Sequence, residues 1–102
     1  MTRTGNHRNK AYLDFIRSQP CILSGQRGHE YDPVVAAHQS VLGDKGTSIK
    51  TSDYTTLPML STLHLEEHRL GHDTFWQQYP HIDLTKEIIK LNIMYIESKR
   101  RA

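Results

Sequence analysis

Apolar residues in the first half of the chain fall into two short patterned groups. Tyr12, Phe15 and Ile16 recur at helical spacing. Pro20 is expected to end that helix near Ser18 or Gln19, because the residue before a proline avoids the helical region. The continuous apolar run Val34-Val35-Ala36-Ala37 predicts a short buried strand that ends at His38. Residues 39–52 hold Gly43 and Gly46 and no sustained apolar period, so a long loop is expected there, one whose backbone can approach a phosphate closely. Thr55, Thr56 and Leu57 favour extended structure, which gives a second strand over residues 54–59 with Pro58 marking an edge or the strand's end.

The period then changes. Ser61 or Thr62 can cap a helix that carries His64 and His68, with Glu66 and Glu67 near its positive end. Gly71 is expected to stop it, and Asp73 to cap a short segment through Phe75 and Trp76 that Pro80 closes. Asp83 caps a last helix, residues 84–101, in which Leu84, Ile88, Leu91 and Tyr95 join Ile89, Ile93 and Ile96 in one broad apolar stripe expected to belong to the core. Residues 1–8 have few apolar positions and read as a flexible arm. With no repeat and no dividing linker, residues 1–102 are expected to form a single α+β domain, its core at residues 34–72 flanked by N- and C-terminal helices.

Composition narrows the setting. A hydrophobic content of 36% in 102 residues supports only a modest core. No apolar run reaches the length of a membrane span or a secretion signal, so the chain is expected to act in the cytoplasm without a membrane partner. One cysteine, Cys21, cannot form an internal disulfide, which fits a reducing compartment. Charge is uneven about a net +2: Lys99-Arg100-Arg101 closes the chain, whereas residues 21–83 carry four Lys and Arg against eight Asp and Glu. A divalent cation would offset that acidic middle, and basic ends can grip phosphates. The plainer role of Lys99, Arg100 and Arg101 is to face a helix C-terminus, where cations are welcome.

Candidate chemistry centres on His38, Asp53, His64 and His68. A His-x-x-x-His pair on a helix places both imidazoles on one face, one turn apart. Two such donors hold a borderline divalent metal and leave coordination positions for water and substrate. With seven histidines in the chain a single pair arises readily by chance, so the weight falls on the ordered set. The unperturbed histidine side chain changes charge near neutrality, which makes His38 the natural candidate for a general base. Asp53 either completes the coordination or orients His38 by accepting its other ring proton. Such a set suits hydrolysis of a phosphodiester, where charge develops on the phosphate and its leaving oxygen.

Strand His38, glycine-containing loop, Asp53, Pro58, then His64 and His68 on a helix: in this order the chain resembles the HNH, or ββα-metal, nucleases. The similarity is to the phage and prophage branch that includes the recombination-enhancement (Ref-like) nucleases. It is carried by Pro20-Cys21, Gly25, Ala37-His38, Lys50-Thr51-Ser52-Asp53, Pro58, His64, Glu66, His68 and Gly71, and extends through Phe75-Trp76 and His81-Ile82-Asp83-Leu84. The resemblance implies a metal-dependent DNA endonuclease of a bacterial host's cytoplasm, active in phage recombination or DNA processing. His38 would be the base, His64 and His68 the metal ligands, and Asp53 the central residue of the motif. Lys50, Arg100 and Arg101 are the candidate substrate contacts. Single- or double-stranded DNA is the implied partner, alongside recombination proteins.

Two departures qualify it. The family's structural zinc knuckle falls on Cys21, Ser24, Leu60 and Leu63, so that zinc is expected to be absent and its place taken by a small apolar cluster. One divalent ion (Mg, Mn, Zn or Ni) is expected instead of two. Second, many of these enzymes carry tandem functional residues on the first strand, whereas His38 is flanked by Ala37 and Gln39. His38 is then base or ligand, and the alternatives to an active nuclease are a nucleic-acid-binding recombination accessory or a structural metal domain that binds a protein partner.

Overall fold

Local chain chemistry sets the first helix. In the computed structural model, which describes residues 7–41 and 51–100, α1 spans Lys10–Arg17. Asn9 caps it by accepting the Tyr12 backbone N–H at 3.0 Å. Tyr12 and Ile16, one turn apart, are fully buried, and the helix gives way at Ser18, ahead of Pro20. His7 and Arg8, which the sequence places at the end of an arm, are tied down instead. The Asp53 N–H donates to the His7 carbonyl at 2.9 Å, and Arg8 pairs with the Asp53 carboxylate at 2.8 Å.

Strand β1, Val34–His38, pairs antiparallel with β2, Thr56–Leu60, in a register that sets Val34 against Leu60 and His38 against Thr56. β2 starts later than its propensities suggest, because Asp53–Thr55 winds into a single 3-10 turn whose Tyr54 N–H is taken by the Ser52 hydroxyl. Pro58 is neither at the end nor exposed. It sits in mid-strand opposite Ala36, fully buried, which a two-stranded sheet allows because both strands are edges.

Helix α2, Ser61–Leu70, is not capped by its own Ser61 or Thr62. Leu60 is the cap residue and offers no side-chain bond. The acceptor comes from the segment ahead of β1: Asp32 takes the Thr62 N–H at 3.0 Å and its hydroxyl at 2.8 Å. Those bonds hold the Asp32 carboxyl below the usual range. Gly71 does stop α2, with φ 87 and ψ 155, a region open essentially to glycine alone. The same residue begins α3, His72–Trp76, so Asp73 lies in its first turn and is not its cap.

Helix α4, Leu84–Arg100, starts where Asp83 accepts the Lys86 N–H at 3.1 Å. Its apolar stripe divides. Ile88 and Leu91 are buried in the core with Tyr12, Ile16, Ala37, Leu57, Met59, Phe75 and Trp76, and Tyr95 packs against them. Ile89, Ile93 and Ile96 remain 50%, 54% and 56% exposed, so one face of α4 belongs to the core and the other does not. The molecule is thus a small α+β domain with four α-helices and one two-stranded antiparallel sheet among the described residues. No helix among them is long and apolar enough to cross a membrane.

A second, smaller cluster joins Cys21, Val34 and Leu60, with Leu23 and Leu63 packed against it. Cys21, Leu60 and Leu63, three of the four positions at which a small apolar cluster is expected, thus pack together. Burial pushes the Cys21 thiol up, and hydrogen bonds from Ser24 and from nearby backbone outweigh it, leaving the thiol below its ordinary range.

Candidate functional site

The two strands and α2 bring His38 and the His64–His68 pair to one cavity of about 190 Å³, lined also by Ser40, Glu67, Gly71 and His72. His38 reaches it from the last position of β1. Side chains alternate along a strand, so the next residue turns the other way: Gln39 is buried, donates to the Ala37 carbonyl at 3.3 Å and has no partner for its Oε1. Gln39 is therefore turned away from the cavity, whereas His38 lines it.

Asp53 stands behind His38. The 3-10 turn holds it 3% exposed, with Oδ1 accepting from His38 Nε2 and Arg8 Nη1, each at 2.8 Å, and Oδ2 accepting from the Asn9 N–H at 2.8 Å. Burial pushes the Asp53 carboxyl up, but the donors from His38, Asn9 and Arg8 outweigh it and hold it below the usual carboxylate range. A carboxylate on Nε2 fixes the neutral His38 ring with its proton there and its lone pair on Nδ1. Asp53 thus accepts from His38 and does not itself line the cavity.

On α2, His64 and His68 lie one turn apart with their Nε2 atoms 3.2 Å from each other. Two nitrogens bound tetrahedrally at about 2.0–2.1 Å from one ion would stand about 3.3 Å apart, so the pair fits a shared divalent metal. Among the described residues no group of three or more His, Cys, Asp or Glu side chains is gathered in a metal-holding arrangement.

Glu67 is the residue that the sequence did not single out. It is 7% exposed, accepts from His64 Nδ1 at 3.2 Å through Oε1, and accepts from the Trp76 indole at 2.8 Å through Oε2. His72, given no role by the sequence, has its Nδ1 3.8 Å from the same Oε2. The signal was available in part: a carboxylate three residues after a histidine faces it on a helix, and a buried indole needs an acceptor. What hid the partner was the chain reversal at Gly71.

Of the candidate substrate contacts, only Arg100 is among the described residues, and it does not line this cavity. Arg100 lies at the exposed end of α4, 3.9 Å from Glu97. Lys50 and Arg101, like Gly43 and Gly46, fall outside the described residues. No family model, curated protein or solved structure matches the chain.

Proposed function

We propose that the chain is an HNH-type, ββα-metal endonuclease that hydrolyses phosphodiester bonds in DNA with one divalent ion. The observation that carries this is the single cavity shared by His38, His64 and His68, with the Asp53 carboxylate on the far nitrogen of His38. A divalent ion held by His64 and His68 supplies positive charge next to a scissile phosphate. His38 takes a proton from water at Nδ1, the nitrogen left with a lone pair. Asp53 keeps the ring oriented and stabilises the imidazolium that results, the division of labour between a histidine base and its buried carboxylate. The basic ends of the chain, with Lys50, Arg100 and Arg101, would add phosphate contacts that depend little on sequence.

The test is direct. Metal-stripped protein is incubated with supercoiled plasmid and with single-stranded DNA while Mg, Mn, Zn or Ni is added in turn. Nicking that requires metal, and that His38→Ala abolishes while leaving DNA binding in place, is the expected result. Salt-sensitive DNA binding with no cleavage under any metal would favour the recombination-accessory alternative; neither activity would favour a structural domain with a protein partner.

A further inference from the structure

We infer that Glu67 is the positioning residue of the His64–His68 pair, holding His64 as the tautomer whose Nε2 carries the lone pair. The inference rests on the metal site proposed above and names the residue that prepares it. A carboxylate only accepts, so the 3.2 Å contact from Glu67 Oε1 to His64 Nδ1 requires the proton on Nδ1. The neutral ring then presents its lone pair at Nε2, the atom 3.2 Å from His68 Nε2. Without an ion, His68 donates its Nε2–H to that lone pair; to hold an ion beside His64, His68 would carry its proton on Nδ1 instead, freeing its own Nε2 lone pair.

Glu67 cannot easily leave this post. Its second oxygen receives the Trp76 indole N–H at 2.8 Å, a contact buried between α2 and α3. An indole donates and cannot accept, so rotating the carboxylate away strands a buried donor. Trp76 in turn is held by its edge-on packing with Phe75, their centroids 5.1 Å apart, and by Gly71, whose backbone angles fold α3 back on α2. The arrangement is a chain of indole, carboxylate and imidazole that ends at a candidate ligand atom. Carboxylates behind metal-binding histidines fix the ring and raise its basicity, and losing one typically costs 10–100-fold in affinity.

A glutamine at this position cannot substitute. If its oxygen faces His64, its amide nitrogen meets the indole N–H; if it is flipped, it donates to Nδ1 and drives the His64 proton to Nε2. Zn and Ni affinities are measured by competition titration on the wild-type chain, Glu67→Gln and Trp76→Phe, and the His64 tautomer by nitrogen NMR on the metal-free wild type. The expected results are the Nδ1–H tautomer in the wild type, a loss of metal affinity of about 10-fold or more in Glu67→Gln, and a smaller loss in Trp76→Phe, which keeps the carboxylate. Wild-type binding with Glu67→Gln within about threefold of it would overturn the inference and leave the metal site standing. An Nε2–H tautomer of His64 in the wild type would overturn it without any variant. No metal binding by the wild type would remove the site itself, and this inference with it.

Discussion

Replacing Asp53 by Asn removes one negative charge with almost no change in volume, and the structure says why the amide does not fit. Every contact of the carboxylate is to a donor: His38 Nε2 and Arg8 Nη1 at Oδ1, the Asn9 N–H at Oδ2. Whichever way the amide is turned, its NH₂ faces at least one of them. With the oxygen kept toward His38 and Arg8, the Asn9 N–H loses its acceptor beside the start of α1, a loss of about 1–3 kcal/mol for a group shielded from water. The charge-assisted part of the Arg8 and His38 bonds is lost too, but those side chains are 42% and 39% exposed, so solvent screening leaves them about 1 kcal/mol or less together. The expected destabilisation is about 2–3 kcal/mol, or a melting temperature lower by about 10–20 °C in a domain of this size. Urea unfolding of the two proteins measures it. The pH dependence adds a second check. A carboxyl held low in the folded state binds its proton more readily when unfolded. Its contribution is therefore complete above the unfolded value of about 3.9 and is lost as pH falls below that toward the folded value. Asp53→Asn should flatten that acid limb. A destabilisation under about 0.5 kcal/mol with an unchanged acid limb would refute the placement of Asp53 as the anchor of α1 and His38.

Gly28→Ala should be costly, since a Cβ there would lie 2.4 Å from the Val34 nitrogen and 2.8 Å from the Pro33 Cα, and backbone must shift; a loss of about 1–3 kcal/mol on denaturation is expected. Asp32→Ala should lower the melting temperature by freeing the Thr62 N–H and hydroxyl at the start of α2, whereas Asp32→Asn should retain more of it. Ile93→Lys, on the exposed face of α4, should change stability by no more than about 0.5 kcal/mol. Chelation should stop any metal-dependent cleavage while leaving the melting temperature nearly unchanged, because the core cluster around Tyr12, Ile16, Leu57 and Phe75 includes neither His64 nor His68; elemental analysis of the loaded protein should give one ion per chain.

Much of this molecule was legible along the chain because its cues are local. Helical spacing and the continuous apolar run at Val34 located α1, β1, the helix bearing His64 and His68, and α4, and Gly71 and Asp83 marked boundaries whose hydrogen bonds involve neighbours only. The pair His64 and His68 is likewise a property of one helix. Tertiary structure decided whatever depended on a residue far off in sequence. Asp32 took over the capping of α2 from 30 positions away, ahead of β1; Arg8 and Asn9 met Asp53 from 44 or more positions away, converting the end of an expected arm into part of the Asp53 anchor. The α4 stripe shows the limit from the other side, since hydrophobicity fixed which residues can be buried and only the area offered by α1 and β2 fixed that Ile88 and Leu91 are, while Ile93 is not. Glu67 is the sharpest instance: its place beside His64 follows from helix geometry, but its indole partner Trp76 lies beyond the break between α2 and α3 at Gly71.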